Sequence, residues 1–296
     1  MANAIQNKYS FSLIFEGVNS NPNGDPENGN LPRTDPLSGK GIVTPVCIKH
    51  KVRNEIQLLT AGKSGYDMYI SPGLSLNEKD DEALAAVCGE KAGKDGDIKK
   101  SDPDAEQKIL DWMCQKYFDV RTFGAVMTRF SKMPGCANTQ GPVQLGYGQS
   151  ISPVDIVDLL LSRCAATKAN DRQEKGDRTF GTQSVLAYGL FRMNGIINPY
   201  CAERTGFSDE DLELFFKALE NVFAHDAAAC RAGMRVRKLI VFKHDSAYGC
   251  ADDADLFDRV VIREKKPGET VRSFDDYELT IEKDNLPKGI TLIERK

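Results

Sequence analysis

The heptapeptide Tyr9-Ser-Phe-Ser-Leu-Ile-Phe15 alternates apolar and polar side chains and then becomes continuously apolar. This pattern is typical of a β-strand that enters a hydrophobic core. From Val18 to about Val43 there follows a segment rich in Asn, Pro and Gly, which is too long for a simple connection and predicts a functional or disordered loop. Thr44-Pro45 then supplies a helix N-cap and a proline at the first helical position.

The helix predicted after Thr44 has one buried face, because its apolar residues Ile48, Val52, Ile56 and Leu59 recur at helical spacing. The basic residues are expected beside this face: Lys49 and Arg53 on one flank, Lys51 on the other, and His50 pointing away. Since Lys49 and Arg53 flank the apolar stripe and do not form it, their replacement is expected to leave folding intact.

The remaining pattern alternates strands and helices. Residues 62–115 predict a mostly helical insertion with acidic loops in water, and the glycine-punctuated segments 119–127 and 141–150 predict strands of one sheet with close backbone approaches. The polar stretch 167–178 predicts a protruding loop or hairpin; a strand at 184–191, a helix from Ser208 and a strand from Met234 follow. This order indicates an α+β fold with a ferredoxin-like, RRM-type core.

Charge is unevenly distributed along this chain of 296 residues, whose net charge is −4. Residues 33–63 contain six Lys or Arg against two acids, whereas residues 77–106 contain ten acids against five lysines. A basic groove on an acidic body is therefore feasible, and the negative total does not exclude a nucleic-acid partner.

The eight cysteines lie far apart without a CxxC pair, which argues against zinc and favours reduced, mostly buried thiols. The amino terminus lacks an apolar secretory signal and no apolar run is long enough to span a bilayer, so a cytoplasmic protein without membrane contact is expected. The sequence predicts no metal site and no cofactor.

Catalytic motifs are weak or absent. Ala61-Gly62-Lys63-Ser64 lacks the first glycine of a P-loop, no GxSxG is present, and the three histidines have no recognisable catalytic neighbours. Asp25 and Asp35 could in principle assist metal-dependent RNA cleavage, although turn-forming Asp beside Pro and Gly is the commoner reason for such residues. A metal-dependent endoribonuclease therefore stays open as the alternative to a non-enzyme.

Several segments together resemble one family. They are Gly17-Val-Asn-Ser-Asn-Pro-Asn-Gly-Asp-Pro26, Leu31-Pro-Arg-Thr-Asp35, Ile48-Lys-His-Lys-Val-Arg-Asn54, Asp119-Val-Arg-Thr-Phe-Gly124, Gly141-Pro-Val-Gln144, Thr179-Phe-Gly-Thr-Gln183, Ala187-Tyr-Gly-Leu-Phe191, Thr205-Gly-Phe-Ser208 and Arg231-Ala-Gly-Met-Arg-Val-Arg237. As an ordered set they resemble the RAMP-superfamily backbone subunit of the CRISPR Cascade surveillance complex, specifically its type I-C form.

The resemblance implies a hand-shaped molecule with a modified ferredoxin-like palm, a helical finger insertion and a protruding thumb hairpin. The corresponding ranges are palm 1–61, finger 62–116, palm 117–164, thumb 165–183, and palm with C-terminal strands 184–296. It also implies a non-enzyme that stacks head to tail along the spacer of crRNA and presents it to target DNA. The implied partners are crRNA, target DNA, further copies of the chain, and two other Cascade subunits, one that binds the repeat handle and the large subunit.

The residues that the chemistry and the resemblance assign to RNA binding are of three kinds: cations for phosphates, amides for sugars and base edges, and glycines or aromatic residues for close approach and base contact. They are Asn21, Asn23, Arg33, Lys49, His50, Lys51, Arg53, Arg121, Phe123, Gly124, Gln144, Arg178, Phe180, Gly181, Gln183 and Arg235.

Overall fold

The central strand of the molecule is the segment with which the sequence opens. The computed structural model describes residues 3–89, 104–165 and 179–296. In it, strand β1 (Tyr9–Ser20) is longer than the sequence predicts, and it pairs antiparallel with a strand on either side. The first helix, α1 (Pro45–Leu59), begins where expected, because the Thr44 side chain accepts a hydrogen bond from the Cys47 amide.

The main sheet is antiparallel and contains the strands β4 (Lys40–Val43), β7 (Val143–Leu145), β8 (Gly148–Pro153), β9 (Ile156–Arg163), β10 (Thr179–Ile197), β11 (Met234–His244) and β14 (Ile290–Glu294) beside β1. Its order is β14-β11-β1-β10-β8-β4, and β7 and β9 also pair with β10. The expected strands at 141–150, 184–191 and 234–242 are therefore confirmed.

Strand β10 is faced along one side by β7, β8 and β9 in succession. In each gap between these strands the facing chain has one residue more than β10, which is the signature of a β-bulge. Residues 186–197 of β10 also pair with β1, whereas residues 179–185 do not. Strand β9 and residues 179–186 of β10 therefore form a two-stranded extension, here called the ribbon, that leaves the sheet.

One face of the sheet is covered by α1 and by α7 (Asp209–Glu220). Phe11, Leu13 and Phe15 of β1 pack there against the apolar stripes of both helices, and the ring of Phe11 meets Phe215 edge to face at 5.9 Å. The helix predicted from Ser208 is confirmed, since Ser208 and Asp211 form a capping box. We call this cluster the first core.

A second core lies beside the first and is built from helices of the predicted insertion. It contains α2 (Leu76–Cys88) and α3 (Ala105–Lys116), which confirms a helical insertion. The cluster also continues to Cys136, so α4 (Phe118–Phe123) and α5 (Pro134–Ala137) pack with it.

The strand predicted at 119–127 is wrong in its first half, which forms α4, and its second half lies outside the main sheet. There β5 (Gly124–Val126) pairs only with β6 (Asn138–Gln140). The predicted close backbone approach is present: Gly124 has φ +74°, and a Cβ atom on it would lie 2.0 Å from the carbonyl oxygen of Thr139.

The other face of the main sheet is covered by a C-terminal segment. This segment, the C-terminal cover, comprises α8 (Asp253–Asp258), β12 (Val260–Glu264) and β13 (Tyr277–Ile281). Its apolar side chains pack on Ile14, Tyr188 and Phe242. The remaining short elements are β2 (Gly24–Asp25), β3 (Leu31–Pro32) and α6 (Pro199–Thr205).

The cysteines are free thiols, but the expectation that most are buried is wrong, because only Cys114 and Cys136 are. Within the described ranges no helix combines the length and apolar character that crossing a membrane requires.

Candidate nucleic-acid interface

The Asn-rich loop between β1 and α1 is organised by its own amides. Asn23 Oδ1 accepts the backbone N–H of the N-cap residue Thr44 at 2.8 Å. Asn21 Nδ2 donates to the carbonyl of Asn30 at 2.8 Å and to that of Ser184 at 3.4 Å. The loop is thus fixed to the start of α1 and to the base of the ribbon, and these amides act inside the protein.

The two aspartates of this loop have local structural partners. Asp25 lies 3.2 Å from the Arg33 guanidinium and accepts the Glu27 amide. Hydrogen bonds from Ser38 and Leu37 hold the pKa of the exposed Asp35 below its usual value. Both aspartates therefore close turns. In the part of the chain that the structure describes, no group of three or more His, Cys, Asp or Glu side chains is placed to hold a metal ion.

Three of the predicted RNA-binding cations are buried in ion pairs, which corrects the expectation of free cations at these positions. Lys51 pairs with Asp226, and Arg53 Nε lies 2.7 Å from Asp119 Oδ2. Both α1 flanks are covered, because α4 packs on one and the turn after α7 on the other. A phosphate could take either cation only by leaving a buried carboxylate unpaired.

Arg121 repeats this arrangement on α4. Its guanidinium pairs with both carboxylate oxygens of Asp211, at 2.9 and 3.0 Å, and donates to the carbonyls of Gly65 and Cys114. Arg121 is therefore a bracket between the second core and α7.

Lys49 is the α1 cation that retains a free ammonium group: no carboxylate partner for it is found among the described residues. It is half-buried, with Nζ 5.1 Å from the centre of the Phe123 ring, and burial followed by the charge of Arg53 lowers its pKa. A bound phosphate would favour its charged form. His50 beside it is exposed, as predicted.

The aromatic and glycine candidates next to Lys49 have packing roles. Phe123 is only 8% exposed and its ring lies under both Lys49 and Arg53. Gly124 permits the backbone crossing with Thr139 described above. Neither residue offers an open ring or an open glycine surface to a base.

Two predicted residues lie elsewhere on the main sheet. Gln144 is half-buried on β7 and is paired with Ile196. Arg235 is exposed on β11, opposite Glu16, and so belongs to the face covered by the C-terminal cover, away from α1.

The ribbon exposes large apolar side chains on both of its faces. Phe180 is 61% exposed and Leu160 is 71% exposed. Because Phe180 pairs with Ser162 and Leu160 with Thr182, the two apolar side chains are diagonal neighbours on one face. The other face presents Val157, Leu159 and Leu161.

The remaining thumb candidates lie in or beside the ribbon. A Cβ atom on Gly181 would meet nothing within 4 Å, and Gln183 is half-buried opposite Leu159. Arg178 and the polar stretch 167–178 lie outside the described residues. Sequence reasoning missed Leu159, Leu160 and Leu161, although a run of apolar residues next to a polar stretch was a usable signal.

The structure brings one histidine next to a serine and an aspartate, which the sequence did not predict. Ser10 Oγ lies 3.0 Å from His244 Nε2 and donates to Asp253. His244 is fully buried, and its Nδ1 accepts the amide of Cys250 at 2.9 Å, so Nε2 carries the proton of the neutral ring. His244 therefore cannot accept the serine proton, and the cluster joins the C-terminal cover to β1.

The interface consists of an ordered loop, one free cation on α1 and an exposed apolar ribbon, which is a surface suited to an extended partner. The family model of the CRISPR-associated protein Cas7 matches residues 7–282, and the chain belongs to this family.

A curated relative is the CRISPR-associated protein Cas7 of Haloferax volcanii, 26% identical over 234 residues. The alignment covers 73% of this chain and spans 65% of the relative's length.

Among solved structures, the chain is similar to a chain of a CRISPR RNA-guided surveillance complex, pre-nicking, at 14% identity and TM-score 0.49, over 79% of this chain and 78% of that one. A second surveillance complex gives 13% identity and TM-score 0.44 over 79% and 68% of the two chains. A chain of the type III-B Cmr-beta complex bound to cognate target RNA gives 10% identity and TM-score 0.41 over 79% and 61%.

Proposed function

We propose that this chain is a guide-RNA-binding, non-catalytic backbone subunit of a CRISPR surveillance complex. Membership of the Cas7 family supports this assignment. The structural observation that carries it is the ribbon, a two-stranded extension with apolar side chains exposed on both faces. Two-stranded ribbons are marginally stable alone in water, so this one calls for a partner that covers it.

The partner that fits the ribbon is an RNA strand held by a second copy of the chain. Phe180 and Leu160 form an apolar wedge that can enter between bases, since stacking on an aromatic ring tolerates any base. Val157, Leu159 and Leu161 on the opposite face suit a protein surface. Head-to-tail contacts of this kind do not close, so copies add along the spacer until the RNA ends.

Phosphate contacts are assigned to the surface around Lys49 and His50, next to the start of α1. The unpaired ammonium of Lys49 supplies charge without reading bases. The buried cations Lys51, Arg53 and Arg121 position this surface by joining α1, α4 and α7. Binding that is blind to sequence suits a subunit whose guide performs recognition by base pairing.

The palm is a modified ferredoxin-like unit in this proposal. Its core strands follow the order β11-β1-β10-β7/β8, with α1 and α7 on one face, which is the antiparallel arrangement of a βαββαβ unit. The opposite face, which RRM domains use for RNA, is occupied by the C-terminal cover. RNA is therefore assigned to the loop, α1 and ribbon. The finger begins near residue 62 and extends to Cys136 with the second core.

The further partners in this proposal are target DNA, a subunit that binds the repeat handle, and the large subunit, in a cytoplasmic complex of type I-C. The type I-C assignment rests on the ordered motifs from Gly17 to Arg237. The endoribonuclease alternative would need Asp25 or Asp35 beside a scissile phosphate, and both carboxylates are engaged in turns.

The deciding experiment is to purify the protein after co-expression with a CRISPR array and to sequence the bound RNA. Spacer RNA flanked by repeat sequence is expected. Native mass spectrometry on guides lengthened in steps should show a copy number that rises with length. Random cellular RNA, or a constant copy number, would contradict the proposal.

A further inference from the structure

A groove of about 690 Å³ lies between the β8 edge of the main sheet and the C-terminal cover. Arg192 and Asn194 of β10 form its floor, Lys40, Tyr147 and Gln149 one wall, and Phe257, Asp258 and Ile262 the other. It lies on the face opposite α1, because Arg192 pairs with Ile14, whose side chain packs under the C-terminal cover. It is therefore distinct from the surface around Lys49.

Tyr147 is presented to this groove by the first bulge of the β10 edge. It lies between Gly146 and Gly148, in the gap between β7 and β8, and is 70% exposed. Bulges commonly redirect a side chain in this way. Packing inside the protein does not explain a large exposed aromatic ring held at a fixed point of a sheet edge.

The polar groups around Tyr147 are free to bind. For the described residues, no side-chain partner is found for the ammonium of Lys40 or the amide of Gln149. Asn194 accepts from Ser12 and Arg192 through Oδ1, which leaves its two amide N–H groups for the groove. Arg192 donates to the carbonyls of Val260 and Phe257 and is therefore a fixed positive floor.

We propose that this groove is a second nucleic-acid site, which holds a nucleotide of a single strand with its base on Tyr147 and its phosphate on Lys40. An exposed ring, free amide donors and an unpaired cation are the three elements of single-strand recognition. The single carboxylate of the groove, Asp258, faces Arg192, whose charge offsets it. The strand is either the guide itself or a second strand brought to the complex.

Photocrosslinking tests the site on the guide-loaded protein. One arm carries 4-thiouridine in the guide, and the other adds a single-stranded DNA oligonucleotide that contains 5-iodouracil. A crosslink on the peptide that contains Tyr147 is expected in one arm, which identifies the strand. Absence of this crosslink from both arms would overturn the proposal, whether or not the guide remains bound at the α1 surface.

Variants separate stacking from folding. Tyr147→Leu should weaken binding of the identified strand by roughly fivefold or more, which corresponds to loss of one stacked base. Tyr147→Phe should retain it, and Lys40→Gln should lower its salt dependence. Tyr248→Leu is the matched control, because Tyr248 is 85% exposed and lies outside the groove. Equal affinity of Tyr147→Leu and Tyr248→Leu would refute the assignment.

Discussion

Arg53 on α1 and Asp119 on α4 form a buried ion pair, with Nε 2.7 Å from Oδ2, that joins the two cores of the molecule. The same carboxylate accepts the backbone amides of Tyr69 and Ile70 at 2.7 and 3.0 Å. Asp119 therefore fixes the RNA-facing helix to the entry of the second core. The position of the proposed phosphate surface depends on this contact.

Replacement of Asp119 by Ala should lower the free energy of unfolding by about 3–5 kcal/mol, because a buried guanidinium and two amides lose their acceptor. Arg53→Ala should have a similar effect, and the double variant should lose less than the sum of the two. Urea unfolding measures all three. Arg272→Ala, which breaks an exposed pair with Asp155, should change stability by less than about 1 kcal/mol. A comparably small effect of Asp119→Ala would mean that the pair does not hold the cores together.

Lys49→Ala should weaken guide RNA binding evenly across unrelated sequences. It should also lower the slope of log K against log salt by about 0.7, the value for one single-strand phosphate contact. Folding should survive, since no carboxylate partner is left behind. Fluorescence anisotropy with two guides at several salt concentrations measures the slope, with exposed Lys288 replaced by Ala as the control. Loss of affinity for one guide alone would show that Lys49 reads bases.

Removal of the ribbon wedge in the double variant Leu160→Ser, Phe180→Ser should prevent assembly of several copies on one RNA while the monomer stays folded. Both side chains are already exposed, so the change removes contact with a partner and not with the core. Native mass spectrometry gives the copy number and a thermal melt reports folding. Leu37→Ser, at a residue 96% exposed in the loop before α1, is the matched control. Full-length assembly by the double variant would remove the ribbon from the subunit contact.

Asp80 should make the second core less stable as pH rises. Its side chain is fully buried, and burial raises its pKa from 3.8 to about 6. Between these two values the unfolded chain binds fewer protons than the folded one, so the free energy of unfolding falls as pH rises through this interval and is level above it. Asp80→Asn should remove this dependence and raise stability at pH 7 by on the order of 2 kcal/mol.

Urea unfolding at pH values from about 4 to 8 tests the prediction for Asp80. The neighbouring Asp81 is exposed and paired with Arg129, so Asp81→Asn serves as the control and should leave the pH profile unchanged. Parallel profiles for Asp80→Asn and the unmodified protein would contradict the assignment of this titration to Asp80.

The sequence by itself determined the elements whose signals are local. Alternation along Tyr9–Phe15, the capping residues Thr44 and Ser208, and the apolar spacing of α1 and α7 each predicted an element that the structure confirms. The ordered motifs also identified the family. These signals suffice because hydrogen bonding at a helix start and side-chain periodicity involve residues close together in the chain.

Only the tertiary structure decided which cations are free. Lys49, Lys51 and Arg53 have the same character in the sequence, but two of them meet Asp226 and Asp119, from residues far along the chain, and are buried. The same holds for segment 118–123, which is helical because it packs between two cores instead of extending the sheet. A charge becomes a binding group or an internal bracket according to the carboxylate that folding brings to it, and neither local spacing nor composition contains that information.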